Sequence, residues 1–231
     1  MPLETLTTRA LNRATLARQM LLARDAVSAV KAVERLAGLQ AQEPKPPFAG
    51  LWTRVEAFDR EELLGALRSG TVVRATLMRA TLHLMSARDF GAFRPALQPA
   101  IGGALDAVGD RKKGISPAAV SAAAREMLAD GPRRFDELRA ALAERFPDVD
   151  NRVVGYAVRL NLPLVMVPTD DPWGYPRNAQ FALTDVDIET PAAPAHLLRS
   201  DLAAFGPASA TALPGDRTRV ETTVAIEFAA S

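Results

Sequence analysis

Two glutamines, Gln40 and Gln42, sit one residue apart in Leu39-Gln40-Ala41-Gln42-Glu43-Pro44, where an amphipathic helical pattern runs into a proline. A carboxamide oxygen accepts a hydrogen bond but cannot hold a proton near neutral pH, so such a pair is a poor general base. It can instead hold a water molecule against a carbon whose leaving group departs without a protein acid. For the two amides to share one ligand, they must point the same way. On a continuous helix, residues i and i+2 point about 200° apart, whereas on extended backbone they share a face. Pro44 drives Glu43 out of helical geometry and Gly38 weakens the helix just before the pair. The spacing therefore predicts that the chain leaves its helix at the glutamines. The alternative is that the two amides cap the last helical carbonyls or face water.

The elements that must position this pair can be read on either side of it. Thr8 to Arg24 places Ala10, Ala14, Ala17 and Leu21 on one helical face, and Ser28 caps a second helix carrying Val30, Val33 and Ala37 inward. Phe48 to Trp52 is an apolar, aromatic piece after the proline-rich bend. Asp59 and Glu62 predict a capping box for a helix bearing Leu63, Leu64 and Leu67, closed by Gly70. From Val72 to Met85 the period becomes alternating, with Val73, Ala75 and Leu77 on one strand, Leu82 and Leu84 on the next, and a turn at Met78 to Ala80. Three helices and a hairpin are the layout of a winged helix. Arg74, Thr76, Thr81 and His83 are then the polar side of the wing, suited to lie along a phosphate backbone.

The cycle repeats. Ser116-Pro117 opens a helix that Asp130-Gly131-Pro132 ends; Phe135, Leu138, Leu142 and Phe146 mark a second, and Val153, Val154, Ala157 and Val158 a third. Leu164 to Val167 and Gln180 to Thr184 read as paired strands around a turn at Asp170 to Gly174. Met127-Leu128-Ala129-Asp130-Gly131-Pro132 is echoed by Leu202-Ala203-Ala204-Phe205-Gly206-Pro207, so a third copy begins near Ala195. The expected fold is mainly α with small β-hairpins, as tandem winged helix-turn-helix units. The first spans 1–110, the second 111–190, and an incomplete third with an atypical tail 191–231.

Composition narrows the function classes. At 231 residues and 48% hydrophobic content, the chain can bury a substantial core. With no cysteine and two histidines, it has no disulfide framework and lacks the ligands for a Cys/His zinc site, so neither metal nor cofactor is expected. No apolar run is long enough to span a bilayer, and charges interrupt the N-terminal pattern, which predicts a cytoplasmic protein with no membrane partner. A formal charge of +1 means that nucleic-acid binding would need a local patch rather than a global field.

The run Leu11-Asn12-Arg13-Ala14-Thr15-Leu16-Ala17-Arg18-Gln19, the segment Ala32 to Pro44, the piece Gly50-Leu51-Trp52 and the hairpin Val73 to Leu84 occur here in one order. Together they resemble the tandem winged-helix DNA glycosylases (the AlkZ/YcaQ-like family), which remove alkylated bases and unhook interstrand crosslinks. The resemblance covers roughly Leu6 to Leu213. It implies tandem winged helices followed by a β-barrel, with a Gln-x-Gln catalytic motif that falls on Gln40 and Gln42. A related branch has Asp at the second position; Gln42 resembles the crosslink-unhooking branch. From Pro214 the sequence departs from the family's third winged helix and barrel, so C-terminal truncation is expected.

The chemistry fits that resemblance. Alkylation of a purine nitrogen places positive charge on the leaving base, so departure neutralises charge and orientation of the water carries the catalysis. The expected substrate is duplex DNA carrying cationic alkylated purines or crosslinks, attacked by a monomer. Arg74, Arg79, Thr81, His83, Arg13 and Arg54 are the expected DNA contacts, although isolated arginines equally form ion pairs with acidic neighbours. Trp52 and Phe48 either stack on a base or belong to the core. Two rival readings remain: a winged-helix DNA-binding module without catalysis, and an interaction scaffold that never meets DNA.

Overall fold

The computed structural model describes residues 7–112, 114–186 and 193–206. Helix α1 (Thr8–Arg18) leads into the first of two runs of elements that share one order. That run is α2 (Ala29–Arg35), β1 (Leu39–Gln40), α3 (Pro46–Trp52), α4 (Arg60–Arg68), β2 (Val72–Thr76) and β3 (Leu82–Ser86). After α5 (Ala87–Gly103) and a 3-10 segment (Ala104–Lys112), the second run is α6 (Pro117–Ala129), β4 (Arg133–Arg134), α7 (Phe135–Arg145), α8 (Asn151–Asn161), β5 (Leu164–Met166) and β6 (Gln180–Leu183). Each is a winged helix in the order helix, strand, helix, helix, strand, strand. Helix α9 (Ala193–Phe205) follows where a third copy is expected to begin. The remainder of that copy and the tail from Pro214 lie outside the described residues.

The two wings form one antiparallel sheet. Its strand order is β1-β3-β2-β5-β6-β4, joined across the middle by the pair Ala75 and Val165. The order is palindromic: the first strand of each unit lies at an outer edge, and the second strands of the two units meet at the centre. Side chains alternate across β2 and β3. Val72 and Leu84 enter a core with α2, α4, α6 and α8, whereas Val73, Ala75 and Met85 enter another with α5 and α9.

Several elements differ from the sequence reading for definite reasons. Helix α1 stops at Arg18, six residues early, and Met20 takes a positive φ of 55° just after it. The helix lies outside the first winged unit, whose middle helix is instead α3, the short Pro46–Trp52 piece. Its two prolines occupy the first helical turn, where a missing N–H costs nothing. Asp59 does cap α4, accepting from Glu61 N at 2.9 Å, but Glu62 closes no capping box. Its carboxylate crosses to α2 and accepts from Ala29 N at 2.8 Å.

The largest departure is α5, a 17-residue helix with Pro95 and Pro99 inside it. Ser86 caps it by accepting from Asp89 N at 3.2 Å. An interior proline costs about 3 kcal/mol. Against two of these stand Phe90, Phe93, Leu97 and Ile101, a buried stripe at helical spacing. Burial of each stabilises by about 1.5–3 kcal/mol, so the stripe outweighs the breakers.

Candidate active site

The glutamine strand is anchored at its entrance by Gly38. Its φ is +92°, and a Cβ there would stand 2.5 Å from Met85 Cε and 3.0 Å from the carbonyl oxygen of Leu84. Only glycine lets the chain turn out of α2 this close to β3. Leu39 then pairs with Leu84 and Gln40 with His83. Ala41 N donates to Leu82 O at 2.7 Å, and the chain bends away. The backbone is thus extended at Gln40, but the helix ends at Arg35, five residues before it, rather than between the two glutamines as the spacing predicts.

Arg74 holds the bend from beneath. Its Nε donates to Ala41 O at 2.9 Å and its Nη2 to Gln42 O at 3.0 Å, while its guanidinium lies 5.0 Å from the Tyr175 ring centroid. Burial lowers its pKa, and the negative charge of Glu43 is among the influences that oppose this. The Gln42 amide oxygen accepts from Leu82 N at 3.3 Å, so the side chain continues a ladder that the backbone has left.

Gln40 faces a cavity of about 530 Å³. His83 and Arg79 line one side, Gln19 another, and α9 closes it with Leu197, Asp201 and Phe205, three positions spaced four apart on one helix face. Gln42 is exposed but lies outside this lining. The structure brings one of the two glutamines to the cavity wall, not both.

His83 is buried, at 3% exposure, and its Nδ1 lies 2.9 Å from Thr81 O. A carbonyl can only accept, so Nδ1 carries the proton and neutral His83 keeps a lone pair on Nε2. Burial, followed by the Arg79 charge, lowers its pKa; the Thr81 hydrogen bond opposes them. A histidine whose folded pKa is depressed binds protons more readily when unfolded, so stability is full above the ordinary value of 6.5 and falls as pH drops toward the folded pKa. Thermal melting between pH 7.5 and 5 is expected to show this decline, and His83→Gln to reduce it; equal slopes for the two proteins would contradict the assignment.

The other expected contacts divide clearly. Arg79 is exposed at the tip of the first wing, on a turn where it and Ala80 both take positive φ, 53° and 56°. Such backbone costs of order 1–3 kcal/mol per residue and persists where the surroundings demand it. Thr81 beside it is half-buried, its hydroxyl donating to Met78 O at 3.2 Å. Arg13 is exposed on α1. Arg74 is not the wing cation that alternation suggested: it lies on the β2 face that meets the first core, and is 3% exposed. Arg54 is likewise turned inward, donating to Gln19 O at 3.0 Å and Gly50 O at 2.8 Å. Phe48 is core, edge-on to Trp173 at 5.3 Å, whereas Trp52 is exposed beneath the Arg24 guanidinium at 4.6 Å. Asp201 was not found from sequence; the available signal was a carboxylate in the apolar stripe Leu197, Asp201, Phe205.

Among the described residues, no group of three or more His, Asp or Glu side chains could hold a metal ion, and no helix is long and apolar enough to cross a membrane. The fold resembles that of Streptomyces sahachiroi DNA glycosylase AlkZ, with a TM-score of 0.71 and 24% sequence identity; the match covers 89% of this chain and 59% of that one. The chain therefore spans about three fifths of that structure's length. Comparison with curated proteins finds no match. A family model for AlkZ-like DNA glycosylases matches residues 33–214, a span that runs from within α2 through Gln40 and Gln42, the rest of both winged units and α9. On that match, the chain belongs to the AlkZ-like DNA glycosylase family.

Proposed function

We propose that this protein is a monofunctional DNA glycosylase that hydrolyses the N-glycosidic bond of cationic alkylated purines, including those in interstrand crosslinks, in duplex DNA. The observation that carries the reading is Gln40 on extended backbone, opening into a cavity of about 530 Å³ beside neutral His83. That volume is within the roughly 300–1,000 Å³ of small-molecule sites. Gln40 holds the attacking water, and Gln42 fixes the strand through Leu82. Arg79, with Thr81 and Arg13 more distantly, meets the phosphate backbone. The protein acts as a cytoplasmic monomer without metal or cofactor.

Incubation with duplex containing N7-methylguanine tests this directly. The expected result is release of the free base with abasic sites in the strand, and conversion of an N7-linked crosslink to separable strands. Salt-dependent duplex binding with no abasic product would reject the enzymatic reading and leave a DNA-binding module. Absence of binding would leave a scaffold.

A further inference from the structure

The glutamines can orient a water but cannot take its proton, and beside the neutral imidazole of His83 the cavity wall carries one carboxylate that can. Asp201 lines it from α9, between Leu197 and Phe205. A carboxylate in an otherwise apolar stripe is costly where it has no partner. Asp201 has no hydrogen bond or ion pair among the described residues. The helix that carries it is held at both ends: His196 Nε2 donates to Asp89 Oδ1 at 2.9 Å, and Gln19 Nε2 donates to Ala204 O at 2.7 Å. Asp201 is thus presented to the cavity by a fixed element rather than a loop.

We propose that Asp201 is the catalytic carboxylate of this site, accepting a proton from the water held by Gln40 as that water attacks the sugar carbon. This inference rests on the glycosylase reading. The water oxygen bonds to C1′, the C1′–N bond breaks with its electron pair passing to the cationic base, and the base leaves neutral. The proton passes to Asp201 and then to solvent. The same negative charge stabilises the positive charge that develops on the sugar.

Burial raises the Asp201 pKa, which brings its basic form closer to the working pH. The groups around it are mostly engaged elsewhere. On α2, Lys31 pairs with Glu34 and Arg35 with Asp25. On α5, Arg88 and Asp89 join His196, and Arg94 donates to Leu160 O and Leu162 O. Arg9, Arg13 and Arg18 lie on α1 and Arg199 on α9 itself. Across the cavity stand Arg79 and His83.

Single-turnover excision of N7-methylguanine should slow on the acid side as Asp201 is protonated. Asp201→Asn is expected to lower the plateau rate by about 10²-fold or more and to abolish that acid limb, with duplex affinity and melting temperature unchanged. Asp201→Glu, which keeps the carboxylate, should retain the limb. A wild-type rate preserved in Asp201→Asn, or an acid limb that survives in it and disappears in His83→Gln, overturns the assignment while leaving the glycosylase reading intact. Wild-type protein that yields no abasic sites at any pH overturns both.

Discussion

Gln40→Ala is expected to slow single-turnover excision by on the order of 10²-fold, the usual consequence of a misplaced nucleophile. Its melting temperature should barely move. The side chain is exposed, and surface changes of this kind alter stability by about 0.5 kcal/mol at most. Gln42→Ala is expected to differ in kind. It removes the acceptor at Leu82 N, so it should lower stability by roughly 1 kcal/mol and slow the reaction less than Gln40→Ala. Parallel rate and melting measurements on the two variants separate water orientation from strand support. Equal rate losses for both would mean that the amides act as a pair, and full activity in Gln40→Ala would remove the water-holding role.

The largest expected effect on stability belongs to Arg74. Arg74→Met keeps much of the packing volume but leaves Ala41 O and Gln42 O without their donors. Each buried, unsatisfied carbonyl costs about 1–3 kcal/mol, and a chain of this size loses roughly 2–4 °C for each kcal/mol. A fall in melting temperature of about 4–24 °C is therefore expected, with loss of excision because the strand bearing Gln40 loses its anchor. Arg79→Ala provides the contrast, an exposed arginine whose removal should leave melting unchanged. If Arg74→Met melted like the wild type, the bend would be held by something other than this guanidinium.

These two arginines also show what the sequence made legible. Alternation along β2 and β3 places Arg74 on one face and Ala75 on the other, and both placements follow from the period of two. Which face meets solvent depends on partners distant in sequence. Because the sheet carries a core on each side, neither face of β2 is a wing surface. The union of the two hairpins rests on Ala75 and Val165, ninety positions apart, and no local pattern announces it. Ser28, Asp59 and Ser116 were readable as caps because a cap is a contact over two or three residues. Helix α5 was hidden for the opposite reason: local rules emphasise Pro95 and Pro99, whereas the buried stripe that overrides them is tertiary. Gln40 was legible because Gly38 and Pro44 bracket it. Asp201 was not, because its meeting with Gln40 across 161 positions exists only once α9 docks.

The palindromic sheet gives the protein the same address twice. Leu39 and Gln40 face Leu84 and His83 at one border, and at the other Arg133 and Arg134 face Phe181 and Gln180. One border carries a neutral amide beside an imidazole, the other two cations beside a phenyl ring and an amide. The two units thus share one order of elements but differ at matching strands, so that, on the proposed function, the reacting water belongs to the first unit and the paired cations to the second.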